Sequence, residues 1–206
     1  MVALADNDVL FKLAALDLLD QLPNMLEVAP SSIHVLDSVP YVARKNSNIK
    51  DRFGEETVDR TLEFVDGLPA LGAGNVPDWP LDQLNDYEAI DVGEAILFAA
   101  ATQYDPVCVV TGDKRSLRAL CESDCDGIIK EVSGCVVCFE ELMLRSIVLV
   151  EYEVVRERVI TAPDVDKVLN DIAFRNGADT SKEKAETALQ SYRDGLEEET
   201  GLLLTR

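Results

Sequence analysis

Apolar positions along the chain change period repeatedly. Val2–Ala5 is a short apolar run that stops at Asp6, Asn7 and Asp8. From Val9 to Leu16 the apolar residues recur at helical spacing, which predicts a buried strand and then a helix from about Asp8 to Leu22, halted by Pro23. Ile33–Leu36, after Ser31 and Ser32, predicts a second strand leading to a helix around Val39–Lys45 with Pro40 near its first turn. Beyond Phe53 and Gly54, Glu55–Val65 carries Val58, Leu62 and Val65 as one apolar stripe beside acidic neighbours. Gly67 to Pro80 is the segment richest in turn residues, and Trp79 within it is expected to anchor the packing of a loop.

The second half repeats the alternation. Tyr87–Tyr104 predicts a long alanine-rich helix, and Val107–Thr111 is an uninterrupted, largely β-branched run of the kind a central parallel strand needs. Gly112 and Asp113 then turn that strand into a helix over Lys114–Cys121. Ile128-Ile129 and Cys135–Phe139 read as short strands, and Glu140–Val155 as helix. Strands and helices alternating at this spacing indicate an α/β fold with a parallel sheet. From Ala162 the character changes to two polar amphipathic helices, around Asp164–Phe174 and Ser181–Glu198, with no strand. The expected organisation is therefore a sheet domain over 1–150 and a C-terminal helical extension over 151–206, packed on the sheet or used for oligomerisation, so that a homo-oligomer is one expected state.

Composition narrows the function classes. A chain of 206 residues with 47% hydrophobic and 28% charged positions can bury a full core. The longest apolar stretches are too short, or are interrupted by Arg145, to cross a bilayer, and no basic leader precedes Val2. A cytoplasmic protein with no membrane partner is expected. The formal charge of −20 argues against sequence-blind binding to nucleic acid by counterion release. Within 1–150, however, seven of eleven cations fall in two short groups, Arg44, Lys45, Lys50 and Arg52, then Lys114, Arg115 and Arg118, so a small positive footprint remains for a few phosphates. Five cysteines are an odd number, which disfavours a disulfide framework. Cys121 and Cys125, with Cys135 and Cys138, have a zinc-like spacing, but Cys135–Cys138 reads as buried strand and no knuckle glycines flank the first pair. With His34 as the single histidine, a His-based triad has no support.

The acids at strand ends carry the chemistry. Asp6 ends the first strand and Asp113 follows the strongest one, so in a parallel sheet both stand at the same edge, where α/β proteins bind ligands. Asp6 equally suits the N-cap of the helix that follows it. Glu94 lies in an otherwise apolar helix, Ile90 to Ala101, and a buried glutamate requires a counter-charge. Carboxylates that cluster raise one another's pKa unless a divalent cation neutralises them, and an all-oxygen set suits Mg²⁺ or Mn²⁺.

Asp91-Val92-Gly93-Glu94-Ala95 and the apolar residues after it, followed by Val109-Val110-Thr111-Gly112-Asp113-Lys114, resemble the signature half of a PIN-domain nuclease. The opening Ala3-Leu4-Ala5-Asp6-Asn7-Asp8-Val9-Leu10 is similar to that family's first motif, and the match in order and spacing runs over about residues 1–145. The resemblance implies a three-layer α/β/α fold with a central parallel sheet. It also implies hydrolysis of RNA phosphodiesters, single-stranded or structured, at one or two Mg²⁺ or Mn²⁺ ions held by Asp6, Glu94 and Asp113. Asp8 would add a carboxylate, Asp91 is either a further acid or a solvated helix position, Thr111 would position the loop carrying Asp113, and Lys114 or Arg115 would meet a phosphate. In bacteria such domains often act as toxins, which makes an antitoxin or other protein an expected class of partner. One departure stands out: the further glutamate many members carry in the helix after the second strand is missing from Val39–Lys45, with Asp37 just before it.

Two competing readings follow. A weakened or purely binding PIN-like protein accounts for the missing glutamate, the acidic body and the added helices. A haloacid-dehalogenase-like phosphatase would use Asp6 as nucleophile and Asp8 as acid/base, but it expects a second acid within Ser116–Ala119, where there is none, and gives Glu94 no task.

Overall fold

A computed structural model describes residues 1–205. The chain runs β1 (Val2–Ala5), α1 (Asn7–Ala15), α2 (Leu22–Leu26), β2 (Ile33–Leu36), α3 (Val39–Lys45), α4 (Ser47–Phe53), α5 (Glu55–Val65), β3 (Ala70–Leu71) and α6 (Asp78–Leu84). It continues through α7 (Val92–Ala101), β4 (Val107–Thr111), α8 (Lys114–Glu122), α9 (Asp126–Val132), β5 (Val136–Cys138), α10 (Phe139–Leu149), α11 (Tyr152–Thr161) and α12 (Lys182–Thr200). Among the described residues five parallel strands form one sheet in the order β3-β2-β1-β4-β5, flanked by helices in a three-layer α/β/α arrangement with a C-terminal helix. No helix among them is long and apolar enough to cross a membrane.

The strand order matters more than the strand count. The chain builds outward from β1 through β2 to β3, then returns to the other side of β1 with β4 and β5. That reversal puts the topological switch point between β1 and β4, which pair from Val2 with Val107 to Ala5 with Val110. Both strands are buried on both faces, which is why they read as continuous apolar runs. Helix α7 packs across β1, β2, β3 and β4, and its small residues Ala95 and Ala99 to Ala101 let it approach the sheet closely. On the far side of the chain, α12 packs on α10 and α8, and Ala185, Leu189 and Leu196 join the same buried cluster as the strands.

Several elements differ from expectation, each for a local reason. The first helix stops at Ala15 because Asp17 adopts a left-handed conformation (φ 54°), and Pro23 lies in the first turn of α2 rather than ending a longer helix. Ile128-Ile129 is helical in α9, where Ile128 and Val132 are buried one turn apart. The predicted Tyr87–Tyr104 helix begins only at Val92, because the Asp91 carboxylate accepts the amides of Gly93 and Glu94 and starts it there. Extended backbone at Val150 splits Glu140–Val155 into α10 and α11. The turn-rich stretch holds the two-residue β3 and the start of α6, and the residues after Lys45 form α4. Trp79 is 55% exposed and lies against Gly127, so it does not anchor a loop interior. The C-terminal segment is not strand-free in its contacts, since Leu204 forms an isolated parallel bridge with Val136.

Candidate functional site

Three acids reach one pocket by three separate local devices. Asp6 follows β1 directly, and its amide donates to the Val110 carbonyl at 3.0 Å, so sheet pairing extends to the residue that bears the carboxylate. Its side chain accepts the Asp8 amide at 3.1 Å and caps α1. Asp6 therefore caps α1 and lines the pocket at once. Asp113 stands two residues beyond β4, where the Thr111 hydroxyl accepts its amide at 3.1 Å, the positioning expected of Thr111. One Asp113 oxygen accepts the amides of Arg115 and Ser116 at 2.8 and 3.1 Å, capping α8. Glu94 sits in the first turn of α7, which Asp91 caps.

The pocket these residues line has a volume of about 690 Å³. Asp6, Asp8, Asp91, Glu94 and Asp113 all contribute to its wall, together with Asn7 and Ser38. The N-termini of α1, α7 and α8, the positive ends of three helices, converge on it and favour negative charge there. Even so, the acids outnumber their compensation. Burial first, and the neighbouring Asp8 carboxylate second, push the Asp6 carboxyl up to about 7. Burial and then the nearby Asp91, Asp6 and Asp113 carboxylates push Glu94 up to about 10. Asp91 is held below the usual carboxylate range, chiefly by the Glu94 carboxyl, with the amides of Glu94 and Gly93 assisting.

Glu94 is 3% exposed, and its Oε2 is buried without a hydrogen-bond partner. An orphaned carboxyl oxygen beside four further acids is the environment that a divalent, oxygen-seeking cation would satisfy. The donor chemistry thus fits Mg²⁺ or Mn²⁺. The spacing is open, however: among the described residues no group of three or more His, Cys, Asp or Glu side chains is arranged to hold a metal ion as it stands. Neither the acids nor the cysteine pairs form a closed ligand set. All five cysteines are free thiols, with Cys108, Cys125 and Cys138 buried.

The remaining expected residues divide. Asp8 lines the pocket, but its Oδ2 lies 2.7 Å from the Lys12 ammonium, so it faces a cation of the protein's own. Lys12, which sequence reading passed over, is nearly buried. It also pairs with Asp166 at 2.9 Å and stands 4.9 Å from the Phe139 ring centroid. The i,i+4 spacing from Asp8 was the one sequence signal for that pair. Lys114 is turned away onto buried Glu140 at 2.5 Å and the Tyr192 ring, whereas Arg115 keeps a 66% exposed side chain near Asp113. Where a further glutamate was expected, Val42 and Ile49 form an apolar wall, and Asp37 lies beside Gly72 instead of lining the pocket. Of the first basic group, Lys50 pairs with Glu55 and Arg52 donates to the carbonyls of Asp164 and Val165. Arg44 and Lys45, on α3 beside Val42, carry no ion pair among the described residues. His34 meets only the Tyr104 hydroxyl and ring edge-on, as a packed side chain would.

No family model, curated protein or solved structure matches the chain.

Proposed function

We propose that this protein is a PIN-like, metal-dependent endoribonuclease in which Asp6, Glu94 and Asp113 hold Mg²⁺ or Mn²⁺ at the switch point of the sheet. The observation that supports it most is the buried, unpartnered Oε2 of Glu94 within a pocket that Asp6 and Asp113 also line. When bound, the cation supplies the Lewis acidity that phosphodiester hydrolysis requires. The residues do the rest. Asp6 and Glu94 release their protons when they bind the cation, so affinity rises with pH. Asp113 keeps one oxygen on the amides of α8, and its other oxygen, 3.6 Å from the Arg115 guanidinium, is the one that would reach the cation. Arg115 on one lip and Arg44 with Lys45 near the other meet phosphates of the strand. Val42, Ile49 and Val92 present apolar surface to its sugars and bases.

A second reading is a PIN-like protein that binds RNA without cutting it. The apolar wall of Val42 and Ile49, and the hold of Lys12 on Asp8, favour it. Calorimetric titration with Mn²⁺, paired with cleavage of a fluorogenic single-stranded RNA with and without chelator, separates the two. The nuclease reading expects chelator-sensitive cleavage that Asp113→Asn removes. Mn²⁺ binding absent in the wild type, with RNA retained on a gel and uncut, would establish the binding protein instead.

A further inference from the structure

A cleft of about 1450 Å³ opens at the other end of the sheet from the acidic pocket, where Met1 precedes β1 and Val107 begins β4. One wall is α10, which presents Glu141, Leu144, Arg145 and Val148 at helical spacing along a single stripe. The adjoining wall is α12, packed beside α10, which presents Glu186, Gln190, Asp194 and Glu198 at four-residue intervals. The end of α2 closes the third side with Met25 and the exposed Glu27.

Two features of this cleft are unlike ordinary surface. Val148 is 77% exposed and Leu149 49%, on the same helix whose other side is fully buried. Isolated exposed apolar residues are common, but here they line one wall of a concave groove. Among the described residues the side-chain charges around that wall are also one-sided. One side chain among the described lining residues is cationic, Arg145, and it is committed to Glu141 at 2.8 Å and to the Met25 carbonyl at 2.9 Å. Glu27 and Glu198 carry no ion pair among the described residues, and Asp194 and Glu186 have cations only at 3.4 and 3.7 Å. A fitting occupant brings apolar side chains to Leu144 and Val148 and positive charge to the acids around them.

Size selects its form. From Glu186 to Glu198 the α12 wall runs about 18 Å at the rise of an α-helix, and a helix about 10 Å wide over that length displaces roughly the volume of the cleft. We propose that the cleft is the docking groove for a basic amphipathic helix of a partner protein, about three turns long, with its apolar stripe on Leu144 and Val148 and its Lys or Arg side chains towards Glu27, Asp194 and Glu198. A second copy of this chain is the wrong occupant, since it carries 39 acids against 19 Lys and Arg and its approach is opposed by like charge. Helix-in-groove recognition of this kind reads anchors at i, i+3, i+4 and i+7.

The test uses the full chain and a labelled peptide of about 14 residues, with Leu at i, i+3, i+4 and i+7 and Lys or Arg between, read by fluorescence anisotropy. Its control is the same composition scrambled to break the stripe. The ordered peptide is expected to bind at least about tenfold more tightly than the scrambled one. Val148→Asp, checked for native circular dichroism, is expected to weaken it by about tenfold or more although it adds a negative charge, and Glu27→Lys with Glu198→Lys to weaken it as well. Equal binding of the two peptides, unchanged or tighter binding by Val148→Asp, or no binding of either at about 100 μM would overturn the proposal. So would sedimentation showing a dimer that Val148→Asp dissolves, because a second copy would then be the occupant.

Discussion

The backbone of Asp6 is tied to Val110 by a 3.0 Å hydrogen bond, so the residue that begins the acidic pocket is held by the sheet and not by a loop. Asp113 follows Val110 by three residues and is fixed in turn by Thr111 and by the amides of α8. Asparagine caps a helix about as well as aspartate, so Asp113→Asn keeps those amides satisfied and is expected to change stability by less than about 1 kcal/mol. It removes the charge, however. RNA cleavage is expected to fall by at least about 100-fold, on the order of 2.7 kcal/mol in the barrier, with thermal unfolding nearly unchanged. A variant that folds and still cleaves at the wild-type rate would refute a metal-binding role for this carboxylate.

Glu94 and Asp6 make a metal-free protein sensitive to base. Both carboxyls titrate higher in the fold, to about 10 and about 7, than in an unfolded chain, where they lie near 4. The folded state therefore binds more protons, and stability present in full below about pH 4 is lost as pH rises, through about 7 for Asp6 and about 10 for Glu94. Each group contributes a slope of up to about 1.4 kcal/mol per pH unit within its window. Urea unfolding with chelator present is expected to show stability falling from pH 5 to pH 9. Glu94→Gln is expected to flatten the limb above about pH 7 and to stabilise the metal-free protein there by more than about 1 kcal/mol. Adding Mn²⁺ at pH 8 should stabilise the wild type more than this variant. An identical slope in both proteins would show that Glu94 does not carry the strain.

How much of this was visible beforehand depends on whether the cause was local. The bounds of β1 and β4 are legible because strands buried on both faces cannot hide a polar residue, and Val107–Thr111 contains none but the terminal Thr111. The two residues of β3 are not, since Ala70 and Leu71 are strand only by pairing with Val35 and Leu36. Ile128-Ile129 misleads for a related reason: two β-branched residues fit either a short strand or one buried turn of helix, and α9 packs on α7. At the site, Asp6, Glu94 and Asp113 stand out because a carboxylate at a strand end or inside an apolar helix has no packing use. Lys12 does not, because what makes it unusual is Asp166, 154 residues away in sequence.

That long-range pair gives a third expectation. The Lys12 ammonium bridges Asp8 and Asp166 with about a tenth of its side chain exposed, so removing it strands two carboxylates at the edge of an already acidic pocket. Lys12→Met is expected to destabilise the fold by roughly 3 kcal/mol, the usual cost of breaking a buried pair from one side. Asp166→Asn should cost less, because Lys12 keeps Asp8. Arg52 reinforces the same seam through the carbonyls of Asp164 and Val165. Urea denaturation of both variants reads the difference, and a Lys12→Met protein as stable as the wild type would mean the bridge contributes nothing.

The helical segment beyond residue 150 is expected to be inseparable from the sheet. Tyr152, Val155, Leu169, Phe174, Leu189 and Leu196 share one buried cluster with β4, β5 and α10. Each large side chain exposed by truncation forfeits about 1.5–3 kcal/mol of burial, and a handful exceeds the whole stability of an ordinary domain. A chain ending at Val150 is expected to lose cooperative thermal unfolding and near-ultraviolet dichroism. Retention of a sharp transition would show that 1–150 folds on its own.

Arg44 and Lys45 offer the last test, this time of the strand's path. They are the two cations of α3 with no ion pair among the described residues, and they lie two and three residues beyond Val42, which lines the pocket. Lys50 is already engaged by Glu55. If the first two each neutralise one phosphate of a single strand, the double variant Arg44→Ala/Lys45→Ala should flatten the slope of log affinity against log salt by about 1.4. Its cleavage defect should then appear in KM and vanish at saturating RNA, because neither side chain reaches the acids. Lys50→Ala should leave the salt slope unchanged. Filter binding over a series of salt concentrations reads all three proteins, and an unchanged slope in the double variant would place the RNA on another rim.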